Sequence, residues 1–188
     1  MARFKIATLC VALFIAGCSQ PKPTVSAQKN LARYIKLPYE MRIDGSRFIK
    51  RYEALNLAEY YLPGGRVDFS WEKMATVNFS RKIGIEDYEK IMNAKLNGGA
   101  LGKAKIKLDR VLEDEIIGYI LLEPAGDAFG RFDDFEINFI KAKKLPCGLV
   151  DVRYSVKLDA KTSSLQLENF INEKSEAFFK DAPNIDCK

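Results

Sequence analysis

The chain has 188 residues, with 30 lysines and arginines against 25 acids, 47% hydrophobic residues and no histidine. That length suits one domain with a real core, and the near balance of charge excludes a dedicated nucleic-acid binder. Without histidine the chain lacks the commonest general base, metal ligand and partner for a serine or cysteine nucleophile. Neither catalytic residues nor a metal or cofactor site are therefore expected.

The first eighteen residues set the expected location. Arg3 and Lys5 precede an apolar run from Ile6 to Ala16. A membrane-spanning helix takes about 20 residues, so this run is too short to span and suits a cleaved export signal. Ile15-Ala16-Gly17-Cys18 resembles the lipobox of bacterial lipoproteins, with Ile15 where leucine is commonest. The resemblance covers the leader alone. It implies cleavage before Cys18, a diacylglyceryl thioether on its sulfur and an acylated amine. Ser19 stands where the inner-membrane retention signal of that family places aspartate, which implies the outer membrane with the domain facing the periplasm. Each buried methylene contributes about 0.8 kcal/mol, so two or three acyl chains would anchor the protein durably. The membrane, reached through the lipid on Cys18, is the first expected partner.

Loss of residues 1–17 removes Arg3 and Lys5 and no acid, taking the formal charge from +5 to +3. Residues 18–29 form the lipidated cysteine and a polar tether containing Pro21 and Pro23. Residues 30–188 are expected to form a single domain. Of the four cysteines, Cys10 leaves with the signal and Cys18 takes the lipid. Cys147 and Cys187 remain as an even pair, expected to form a disulfide in an oxidising compartment.

Within the domain, Asp44-Gly45 signals a hairpin between strands near Tyr39–Asp44 and Arg47–Glu53. Pro63-Gly64-Gly65 is a break, after which Trp71, Ala75, Val77 and Phe79 alternate as one side of a strand. The period changes over Ile85–Asn97, where Ile85, Tyr88, Ile91, Met92 and Leu96 form a helical stripe. Acids Glu86, Asp87 and Glu89 open that helix and Lys95 closes it, matching the helix dipole.

Four strands are expected next: Lys103–Asp109, Glu115–Leu122, Phe135–Phe139 and Val150–Leu158. The second is nearly all apolar, as for a strand covered on both faces, and Gly118 would permit close packing. A last helix is expected over about Leu165–Lys180, opened by Ser163 and Gln166 at capping-box spacing. The fold class is α+β: an antiparallel sheet of about five to seven strands with two amphipathic helices packed on it.

Several patterns resemble chemistry without completing it. Ser70-Trp71-Glu72-Lys73 fits the S-x-x-K of penicillin-binding proteins, but it opens a strand and its partner motifs are missing. Gly98 and Gly102 enclose three residues where a phosphate loop needs four, and they follow a helix. The acids at Glu113-Asp114-Glu115 and at Asp133-Asp134 with Glu136 read as solvated turns. Lys103, Lys105, Lys107, Arg153 and Lys157 read as one solvated polar face. In the loop Glu123–Asp133, Phe129 and Phe132 bracket Arg131, the composition of a partner contact.

The function expected is a non-enzymatic binding or accessory component of the envelope, with another envelope protein as partner. The alternatives are a histidine-free envelope hydrolase or transferase, and an accessory subunit of a secretion or pilus machine.

Overall fold

Alternating apolar residues build two antiparallel runs of strands. The computed structural model, which describes residues 33–65, 70–97, 103–124 and 133–188, joins them into one curled sheet. A short β1 (Ile35–Lys36) leads into β2 (Glu40–Ile43), β3 (Ser46–Glu53), β4 (Leu57–Tyr61) and β5 (Lys73–Ser80). Helix α1 (Ile85–Asn97) follows, then β6 (Ala104–Leu112), β7 (Glu115–Leu122), β8 (Phe135–Leu145) and β9 (Gly148–Leu158). Helix α2 (Ser164–Asp181) and β10 (Asp186–Cys187) complete the order.

The sheet runs β2-β3-β4-β5-β9-β8-β7-β6, so β9 closes the second meander onto the last strand of the first. β1 and β10 pair separately. Asp44 and Gly45 both take positive φ, 50° and 68°, the two-residue turn whose twist matches the flanking strands. Ser163 and Gln166 form the full capping box of α2.

The α+β class with an antiparallel sheet is what the structure has. Its large sheet holds eight strands instead of five to seven; the strand not foreseen is β4, where Leu57, Ala58, Tyr60 and Tyr61 do not alternate with polar residues along the sequence. The helices take opposite faces. On one, Leu167, Ile171 and Phe178 of α2 pack with Phe48, Phe139 and Tyr154. On the other, Ile85, Tyr88 and Met92 of α1 pack with Ile116, Ile120, Ile140 and Ala142. Period-two strands in the middle of such a sheet bury both sets of side chains.

Candidate functional site

β9 reads GLVDVRYSVKL, and its register puts Asp151 opposite Asn78, Arg153 opposite Thr76 and Ser155 opposite Asn138. Residues directly opposite in an antiparallel pair share a face, and this is the face that carries α1. Among the described residues the buried polar side chains, tyrosines aside, are Thr76, Asn78, Glu136, Asn138, Asp151, Arg153 and Ser155. All seven stand on this face, in one band across β5, β9 and β8.

The band contains two bonded groups. Under α1, Arg153 donates from Nε to Asp151 Oδ2 at 2.9 Å and also pairs with it through a terminal nitrogen. The Tyr88 hydroxyl donates to the same oxygen at 3.0 Å. Burial and the Asp151 charge hold the Tyr88 phenol well above its usual range. Burial alone would lower the Arg153 pKa, but Asp151 outweighs it and the guanidinium stays charged. Lys95, in the last turn of α1, is pulled down by burial and by Arg153. A cavity of about 30 Å³ lies between these groups, lined by Asn78, Ser80, Tyr88, Lys95 and Asp151 among others. It has room for one or two water-sized groups.

Toward the other end, Ser155 Oγ donates to Asn138 Oδ1 at 2.6 Å, and Asn138 Nδ2 donates to Glu136 Oε1 at 2.9 Å. Glu136 is 1% exposed. Burial pushes its pKa up to about 7 against the lowering influence of Asn138, Lys157 and Arg153. It can therefore hold or release a proton near neutrality.

Three buried oxygens in the band have no hydrogen-bond partner: Thr76 Oγ1, Glu136 Oε2 and Asp151 Oδ1. A buried orphan acceptor costs about 1–3 kcal/mol, so such a row is matched to groups that donate hydrogen bonds. Lys157, opposite Glu136, lies with its ammonium 4.5 Å from the Trp71 ring centre.

This arrangement corrects two sequence expectations. Glu136 does not belong to a solvated acidic turn with Asp133 and Asp134; those two are exposed, whereas Glu136 enters β8 and is sealed. Nor do Lys105 and Lys107 share a face with Arg153. The two lysines pair in register with Leu121 and Tyr119 on the α2 side and are exposed, while Arg153 is buried on the α1 side. Sequence reasoning thus missed Glu136, Asp151 and Tyr88. One signal was present: a tyrosine on the apolar stripe of α1 needs a buried partner for its hydroxyl.

The other expected residues are placed as follows. Cys147 and Cys187 lie at disulfide-bonding distance, with Cα atoms 5.9 Å apart. Ser70 is exposed and Lys73 opens β5. Glu115 takes part in ion pairs with Lys141 and Lys143 at 3.9 and 3.5 Å. Cys18 and the contact set Phe129, Arg131 and Phe132 lie outside the described residues. Among the described residues no three His, Cys, Asp or Glu side chains converge as a metal site.

No family model matches the chain, and no curated protein matches it in sequence. Comparison with solved structures finds matches that include the following two. A mutant of protein Mog1 superposes with a TM-score of 0.51 at 13% identity, over 78% of this chain and 92% of that one. The Saccharomyces cerevisiae Ran-binding protein Mog1p gives 0.49 at 12% identity, over 78% of this chain and 93% of that one. At 13% identity, the likeness to the Mog1 mutant shows a shared fold and nothing about activity.

Proposed function

We propose that this chain is an envelope lipoprotein, tethered through Cys18 to the outer membrane on its periplasmic side, whose domain binds another envelope component. The observation that carries the reading is the meeting of Cys147 and Cys187, which join the chain end to the β8–β9 turn. Disulfides persist in oxidising compartments, and a leader ending in a lipobox cysteine directs a chain to one.

A hydrolase would need a nucleophile beside a base. Ser155 is fully buried and gives its hydrogen bond to an amide oxygen, not to a base, which favours binding over catalysis. Metabolic labelling with palmitate and intact-mass measurement of the mature chain test the anchor. The wild type should carry label on Cys18, and Cys18→Ala should accumulate as unlabelled precursor. An unmodified mature N-terminus would overturn the reading.

A further inference from the structure

The described chain begins at one end of the sheet, and four separate segments bring cations to that end. Arg33 precedes β1 and Lys36 ends it, Arg81 and Lys82 follow β5, Lys144 lies near the end of β8, and Lys188 follows β10. The contacts that assemble them are specific. Lys188 N–H donates to the Tyr34 carbonyl at 3.0 Å. Arg81 donates to the Tyr34 hydroxyl at 3.1 Å and covers its ring at 4.6 Å. Tyr34 stacks on Phe79 with ring centres 5.7 Å apart. Lys144 Nζ donates to the Ile83 carbonyl at 3.5 Å. The Cys147–Cys187 link holds β10, and β1 beside it, against the β8–β9 turn.

Five of the six cations are exposed and Lys144 is half-buried. Carboxylates at the same end include Asp87, Glu113, Asp114, Glu115, which pairs with Lys141 and Lys143, and Asp186, which stands opposite Lys36 in the β1–β10 register; none forms an ion pair with any of the six. By contrast, Lys105, Lys107, Arg110, Lys141 and Lys143 all lie against acids.

We infer that this basic end is the membrane-facing surface of the domain and that it docks on anionic phospholipid headgroups. The inference rests on the lipoprotein reading for its geometry. A chain anchored at Cys18 reaches Arg33 within at most about 50 Å of extended backbone, so the tether joins the domain at its basic end and lets that end meet the bilayer. An acyl anchor and a polybasic surface reinforce one another, because the anchor supplies local concentration and the charges supply orientation. Docked this way, the domain projects away from the bilayer the opposite end of the sheet, where β5 and β8 begin with Trp71, Lys157 and Glu136 beside them.

The test is lysine footprinting of the full mature protein, as isolated, on phosphatidylcholine vesicles with and without one quarter phosphatidylglycerol. An amine-reactive reagent and peptide mass spectrometry read each lysine. Lys36, Lys82 and Lys188 should be labelled several-fold more slowly on the anionic vesicles, and high salt should erase the protection. Lys103 and Lys161, at the opposite end, should not change. In Lys36→Gln/Lys82→Gln, where each charge removed weakens the attraction about fivefold, the several-fold protection of Lys188 should be lost. Equal labelling of both sets, or protection that ignores the anionic lipid, would overturn the inference. Intact mass reports acylation of Cys18 separately, so loss of the anchor and loss of docking are read by different measurements.

Discussion

Lys157 stands directly across the β8–β9 ladder from Glu136, yet the carboxyl is still pushed up to about 7. Its ammonium sits over Trp71, 4.5 Å from the ring centre. Proximity to a cation lowers a carboxyl pKa and burial raises it; here burial wins. The sheet interior therefore contains a group that changes charge in the physiological range.

The consequence for stability has a definite sign. The folded pKa of about 7 lies above the ordinary 4.5, so the folded state keeps a proton that the unfolded chain loses between those values. The contribution of Glu136 to stability is full below pH 4.5 and falls as pH rises toward 7. The whole interval is worth about 3 kcal/mol. Glu136→Gln should remove this slope, gaining up to that amount over wild type at pH 8 and little at pH 4. Urea denaturation at both pH values checks it; parallel pH profiles for the two proteins would refute the assignment.

The ion pair under α1 should be costly to break from one side. Asp151→Ala removes the carboxylate from buried Arg153 and should destabilise by about 3–5 kcal/mol. Tyr88→Phe removes one hydrogen bond and leaves the pair, so about 1 kcal/mol is expected. In the double variant the Tyr88 effect should vanish, since its acceptor is already gone. Equilibrium denaturation of the four proteins forms the cycle, and simple additivity would show that the hydroxyl does not act through Asp151.

Gly118 lets β6 lie close to β7. A Cβ there would run into the Lys107 carbonyl oxygen and the Leu108 backbone. Gly118→Ala should cost about 1–3 kcal/mol, since the obstruction is backbone and cannot rotate away. Amide exchange should quicken along β6 first. Unchanged protection of β6 would mean that the strands separate without penalty.

Cys187→Ala should release both β10 and its partner β1. The two cysteines are 40 residues apart, for which the chain-entropy model gives about 4 kcal/mol of stabilisation. Thermal melts should fall accordingly, and reduction of the wild type should reproduce the loss. Thiol titration of denatured, unreduced mature protein should find no free Cys147 or Cys187. Two titratable thiols would disprove the bond.

Much of the fold was legible because local chemistry decides it. Ile85–Asn97 is the helix that its stripe and end charges specify, and Glu115–Leu122 is the strand its apolar run specifies. Asp44-Gly45 and Ser163 with Gln166 each determine a boundary by satisfying backbone groups within a few residues. The site was not legible in the same way. Period-two alternation in β9 shows that Asp151, Arg153 and Ser155 share a side, but not whether that side meets water. A sequence alone assigns the polar side to solvent.

The sequence by itself determined the α+β class and most element boundaries, which rest on residues near one another in the chain. Tertiary structure decided which faces are interior. β9 lies between β5 and β8 with helices on opposite faces, so the polar side of the strand is buried and Glu136 and Asp151 become interior acids. It also separated Arg153 from Lys105 and Lys107, and brought Arg81 and the Lys188 backbone against Tyr34. Those outcomes depend on pairings between residues as far apart as Thr76 and Arg153, which no local pattern encodes.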